Sequence, residues 1–163
     1  MSNIVQYVLL RSDLLKELGW SIGALVAQAC HASTAVLHLY KDDEHTLQYM
    51  NDLDNMHKVV LEVPNEEALR KIETKLSENS IAYKLWIEQP ENIPTCLALK
   101  PYPKEDVKKF VGKFKLYKAT LKKTVEQMVI TQSIANKNVT GQSRFKTTLD
   151  LAKLVRLMTD RRN

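Results

Sequence analysis

IVQYVLLR (residues 4–11) is β-branched, aromatic and almost continuously apolar, the composition of a strand buried on both faces and therefore central in its sheet. Downstream, Ser21 stands where it can cap a helix. Leu25, Val26, Ala29, Ala32, Ser33, Val36 and Leu37 then recur at steps of three and four to about Tyr40, giving one face of apolar and small residues. Such a face packs closely on something flat, so a helix laid across a sheet is expected from this segment alone.

Working outward, the polar stretch 41–55 holds at most a short helix marked by Leu47, Met50 and Leu53, and HKVVLEV (57–63) is a second strand ended by Pro64 and Asn65. Asn65 is placed to cap a helix with Glu66 and Glu67 in its first turn, and Leu69, Ile72 and Leu76 supply its apolar face up to Asn79. Tyr83 to Ile87 and Thr95 to Leu99 are two short strands, and Pro90 and Pro94 make the connection between them a loop. Pro103 to Asp106 opens a third helix carrying Val107, Phe110 and Val111, and Phe114 to Tyr117 reads as a brief edge strand. The order β-α-β-α-β-β-α predicts a three-layer α/β fold, a mixed sheet of about four strands flanked by helices.

The chain has 163 residues and a net charge of +5; 44% of it is hydrophobic and 26% charged, with 4 Gly and 5 Pro. That composition excludes collagen-like and largely disordered classes and suits one domain with an appendage. The charge is unevenly spread. Residues 118–163 carry ten basic and three acidic side chains, a net +7, which leaves −2 for residues 1–117. The tail also repeats a helical stripe twice, through Leu121, Val125, Met128 and Val129 and again through Leu151, Leu154, Val155 and Met158, with a turn expected at 136–141. Residues 1–118 are thus expected to form the domain and 119–163 a basic, helical C-terminal extension. A helical hairpin and a free basic arm that contacts RNA or protein both fit that pattern.

The apolar run Val8 to Leu10 meets Arg11 at once, and neither a membrane helix nor a signal peptide is expected. Cys30 and Cys96 are too far apart in sequence for CxxC chemistry, and a cytoplasmic, reducing location is the simplest expectation. No metal site is expected: His31 and His38 stand seven apart, no carboxylate lies three or four residues beyond His31, and Asp42, four beyond His38, still leaves the set short of four converging ligands. The chain has no GxSxG, no GxxxxGK[ST] and no GxGxxG, so nucleophile-elbow and phosphate-loop chemistry have no support. What remains is a set of polar residues at predicted strand ends: Arg11, Ser12 and Asp13 after the first strand, Ser21 at the helix start, Glu88 and Gln89 after the third strand, and Thr95 opening the fourth. Strand ends beside a helix N-terminus are the usual ligand crevice of an open α/β sheet.

Three blocks among these residues resemble, in order and spacing, those of the type II peptidyl-tRNA hydrolases. They are Arg11-Ser12-Asp13-Leu14, the run Gly23 to Ala32 (GALVAQACHA), and Thr95 to Pro101 (TCLALKP). The resemblance covers about residues 3–118 and is closest to the eukaryotic peptidyl-tRNA hydrolase domain-containing branch, through Trp20 to Ala32, LWIEQPEN (85–92) and KPYPKE (100–105). It implies hydrolysis of the ester between a peptide and the 3′ ribose of tRNA, releasing tRNA for reuse in translation, with peptidyl-tRNA as partner and neither metal nor cofactor. Gln28 and Thr95 match positions the family uses near its active site, and with Asp13, Glu88 and Gln89 from the strand ends they make the expected catalytic set; Arg11, Ser21 and Lys100, the last as a cation after the fourth strand, are expected toward the tRNA. An activated ester asks only for positioning, an oriented water and donors aimed at the oxyanion.

Two positions depart from the family pattern as the blocks align: Ala24 stands where the family has a lysine and Gln89 where it has an aspartate, with Glu88 the nearest carboxylate. Neighbours along a strand face opposite ways, so Glu88 replaces Gln89 only if the backbone is irregular. The alternative is a tRNA- or protein-binding module of the same fold with impaired catalysis.

Overall fold

The computed structural model describes residues 3–119. Ile4–Arg11 is strand β1, and every residue of it is buried. A short helix, α1 (Asp13–Lys16), leads to α2 (Ile22–Leu39), which Ser21 caps by accepting the Ala24 amide at 3.2 Å. α3 (Glu44–Asn51) is capped by Asp43, which takes the His45 and Thr46 amides. β2 (His57–Val63) and α4 (Glu66–Glu78) follow, and Asn65 caps α4 by accepting the Ala68 amide at 3.0 Å. Then come β3 (Tyr83–Glu88), β4 (Ile93–Leu99), the two-residue β5 (Tyr102–Pro103) and α5 (Lys104–Val111). The expected basic extension, residue 119 aside, lies outside the described residues.

The sheet runs β2-β1-β4-β3, with β5 added to the first residues of β1. β1 and β2 are parallel, whereas β4 is antiparallel to both β1 and β3, so the sheet is mixed and β1 central. Period-two alternation divides the core. Val5, Tyr7 and Leu9 of β1 join Leu61, Val63, Leu97 and Leu99 under α4 (Leu69, Ile72, Leu76) and α5 (Val107, Phe110, Val111). Val8 and Leu10 face the other way, with Cys96 and Ala98, under α2 (Leu25, Ala32, Val36) and Leu14. Gln6, between Val5 and Tyr7 on β1, is polar yet wholly buried. Ser33 of α2 donates its hydroxyl to Gln6 Oε1 at 2.9 Å, which satisfies a group that burial would otherwise penalise.

Three sequence expectations are corrected. Leu18 to Tyr40 contains no Asp, Glu, Lys or Arg, and α2 is by length and composition apolar enough to cross a membrane, with a mean hydropathy of 1.3 over its 18 residues. The expectation that the chain holds no such helix is therefore wrong by that measure. In the fold, α2 lays one face on the sheet and buries Gln28 and Ser33 there among its apolar residues. The β3–β4 connection is also shorter than expected: β4 begins at Ile93 and contains Pro94, which leaves a turn of residues 89–92 with Asn92 at φ 56°. Pro94 is tolerated because the register shifts beside it, from Trp86 opposite Cys96 to Ile87 opposite Pro94. Thr95 is the extra residue of a β-bulge, where a missing ladder donor costs little. The closing segment forms a single bridge, Leu61 opposite Leu116, with the Glu62 amide donating to the Lys115 carbonyl at 2.8 Å and the Tyr117 amide to the Val60 carbonyl at 2.9 Å. It covers the outer edge of β2.

Lys100 lies just beyond β4, where its ammonium meets Asp43 at 2.7 Å and sits 3.9 Å above the Tyr102 ring. Burial alone would raise the Asp43 pKa, yet the Lys100 bond and the α3 amides together hold it below 3.8. A depressed carboxylate contributes stability that is full above its unfolded pKa and lost as pH falls through the folded one. α3 amide protection measured by hydrogen exchange is accordingly expected to fall off below about pH 3.8. Lys100→Met is expected to reduce that protection at pH 7 and to flatten its acid limb; an unaltered profile in the variant would refute the coupling.

Candidate active site

Arg11 ends β1 and is only 5% exposed. Nε and Nη2 donate to the two carboxylate oxygens of Asp13 at 3.1 and 2.7 Å, and Nη1 donates to Glu66 at 3.1 Å and to the Pro94 carbonyl at 2.7 Å. The bond to Asp13 is the largest influence on the Arg11 pKa and raises it against the opposing effect of burial. Three separate elements are thereby tied together: α1 through Asp13, α4 through Glu66, and the start of β4 through Pro94. The sequence put Arg11 and Asp13 in one block but missed Glu66, read there only as an acid in the first turn of its helix. A pairing across 55 residues leaves no local signal.

The Pro94 carbonyl held by Arg11 belongs to the residue before Thr95. At the bulge, Thr95 turns toward α2, and its hydroxyl donates to Gln28 Oε1 at 2.8 Å; both side chains are essentially inaccessible. Trp86 pairs with Cys96 on β3, packs on the α2 side and donates Nε1 to Glu88 Oε2 at 2.8 Å. Two residues apart on one strand, Trp86 and Glu88 share a face, so Glu88 lies on the same side of the sheet as the Thr95–Gln28 pair. Glu88 is opposite Ile93, two residues or about 7 Å along β4 from Thr95. Gln89 stands in the exposed turn and bonds Asn92 at 3.4 Å. The irregularity needed to reconcile Glu88 with the site thus falls on the partner strand, at Thr95.

Of the eight residues singled out from the sequence, the structure brings Thr95, Gln28 and Glu88 to one side of the sheet and builds Arg11 and Asp13 into the support behind Thr95. Ser21 is spent on capping α2. Lys100 is placed apart from the others: five residues beyond Thr95 on an extended strand puts it about 17 Å away, at the opposite end of β4 and bound to Asp43. His31, exposed on α2, stacks on Trp86 with ring centroids 4.5 Å apart and planes at 15°. Neither ring was singled out for the site in the sequence. An aromatic residue within a strand reads as ordinary strand composition, although both lie inside the motif runs. Among the described residues no group of three His, Cys, Asp or Glu could hold a metal ion.

Chemically, a carboxamide fixed through its oxygen by a hydroxyl leaves its N–H group to bind a carbonyl oxygen or a water, and Glu88, in no ion pair among the described residues, is a carboxylate that can accept a proton. Residues 4–117 match the family described as peptidyl-tRNA hydrolase PTH2. Human and mouse proteins, each named "Putative peptidyl-tRNA hydrolase PTRHD1", are 52% identical over 116 residues, which is 71% of this chain and 83% of theirs. A solved Agrobacterium protein of unknown function, Atu0240, shares the fold at a TM-score of 0.51 and 16% identity, over 72% of this chain and all of its own.

Proposed function

This chain belongs to the peptidyl-tRNA hydrolase PTH2 family, and from that premise we propose that it hydrolyses the ester linking a peptide to the 3′ ribose of tRNA. The observation that carries the reading is the Thr95–Gln28 pair: a hydrogen-bonded hydroxyl and carboxamide fixed at a bulge and braced through Pro94 by Arg11. Water adds to the ester carbonyl carbon, and the resulting oxyanion is bound by the Gln28 carboxamide N–H, which the Thr95 hydroxyl orients by donating to Gln28 Oε1. Glu88 takes the proton from the attacking water and returns it to the ribose 3′ oxygen as the carbon–oxygen bond breaks, leaving peptide acid and free tRNA. Water is the co-reactant, and the charge that develops is met by groups already in place.

Purified full-length protein with N-acetylaminoacyl-tRNA is expected to release free tRNA over many turnovers, resolved by acid gel electrophoresis. Release no faster than in buffer overturns the reading. The engagement of both Asp13 oxygens by Arg11 and of Gln89 by Asn92 favours one second reading, a tRNA-binding module without turnover; retention of the tRNA on a filter with its ester intact would establish it.

A further inference from the structure

His31 and Trp86 form a flat aromatic step at the edge of the candidate site, built with more constraint than packing requires. The indole is held three ways: by strand pairing opposite Cys96, by the Nε1 bond to Glu88 at 2.8 Å, and by the imidazole at 4.5 Å. His31 is exposed. One of its faces covers the indole while its opposite face has no ring upon it among the described residues. Burial and ring stacking account for the pair itself, and the exposure of His31 leaves its outer face presented to solvent, where a further ring can stack.

The position of this step relates it to the proposed reaction. His31 is three residues beyond Gln28 on α2, on neighbouring turns of one helix face and about 4.5 Å further along the axis. Trp86 pairs with Cys96, the residue after Thr95. In an acylated tRNA end the ester carbonyl and the terminal base are attached to the same ribose. A carbonyl bound at Thr95 and Gln28 therefore leaves that base one ribose width away, the same order as the offset to His31. Every base presents a π face, so stacking holds the end of the chain without asking what peptide it carries.

We propose that the His31–Trp86 stack seats the 3′-terminal nucleobase of the tRNA and so sets the ester against Thr95 and Gln28. This rests on the hydrolase reading for its consequence in turnover. His31 and Trp86 are positioning residues: His31 offers its outer face to the base, Trp86 holds the imidazole from behind, and the reacting atoms lie beyond the base. The second oxygen of Glu88 stands at the edge of the step, where a ribose hydroxyl can donate to it.

The test compares two short RNAs in the full-length protein: one with the -CCA end of tRNA, the other identical but with an abasic terminal ribose. Backbone charge is the same in both, so any contribution from basic segments cancels. The wild type is expected to bind the -CCA RNA more tightly by roughly 5- to 150-fold, the range for stacking one base, and its Trp86 fluorescence is expected to quench, with Trp86→Phe identifying the signal. His31→Ala, a change at an exposed position, is expected to abolish the preference; His31→Phe is expected to keep it. In hydrolysis, His31→Ala raises KM for peptidyl-tRNA and His31→Phe restores it. Equal binding of the two RNAs by the wild type, or an undiminished preference in His31→Ala, overturns the proposal. If the wild type prefers the -CCA RNA yet hydrolyses nothing, the seat stands and the hydrolase reading falls.

Discussion

Arg11→Met is expected to lower the free energy of unfolding by about 3–5 kcal/mol, the range found when one member of a buried ion pair is removed. The methionine fills much of the same volume but leaves Asp13, itself 7% exposed, without its fork of donors, and the Pro94 carbonyl without the bond at 2.7 Å. An uncompensated buried carboxylate costs more than the lost attraction, because it must be desolvated or protonated. Arg11→Lys is expected to recover less than half of the loss. One ammonium cannot bond both Asp13 oxygens, Glu66 and the Pro94 carbonyl at once as the planar guanidinium does. Urea denaturation at pH 7 reads both variants. A loss under about 1 kcal/mol in Arg11→Met would place this network among the weakly contributing surface pairs and remove it as the brace of β4.

Thr95→Val is expected to reduce kcat/KM for peptidyl-tRNA by roughly 10²- to 10³-fold, the usual consequence of losing one oxyanion donor, because the Thr95 hydroxyl is what holds the Gln28 carboxamide in its donating orientation. Valine has nearly the shape of threonine and suits a strand, so the bulge and the packing on α2 persist. The substitution also leaves Gln28 Oε1 without the hydroxyl at 2.8 Å, a loss of about 1–3 kcal/mol in stability for a buried acceptor left unsatisfied. Thr95→Ser separates the two effects: it returns the hydroxyl and is expected to return most of the activity. Turnover of Thr95→Val within threefold of the wild type would show that the Thr95 hydroxyl does not set the Gln28 donor for the reaction. A fall in kcat/KM carried wholly by KM would make it a binding group.

How far the site was legible follows from the range of the forces involved. Caps are local, so Ser21 and Asn65 were readable from residues three positions away. Strand 57–63 was readable from composition, whereas α1 and β5, at four and two residues, are too short to show a period. The alternation rule placed Glu88 and Gln89 on opposite faces and could not anticipate a bulge at Thr95, because a bulge is a departure from the very periodicity that is being read. For the same reason Pro94 looked like a loop residue and proved to be part of β4. Lys100, on the segment after the fourth strand, was expected to supply a cation toward the tRNA. On an extended strand, five residues separate two groups more widely than five residues of helix would.

Composition, period and motif thus determined by themselves that a central buried strand carries a capped helix across a mixed sheet, and that the chain resembles the peptidyl-tRNA hydrolases. These are properties of neighbours along the chain, where side-chain direction follows from backbone period. Only the tertiary structure decided that Thr95 turns to Gln28, that Glu88 shares their side of the sheet, that Arg11 ties β4 to α1 and α4, and that His31 lies on Trp86. Each of those depends on the register between strands and on how far apart remote residues end up, and those are settled when α2 and α4 close on the two faces of the sheet.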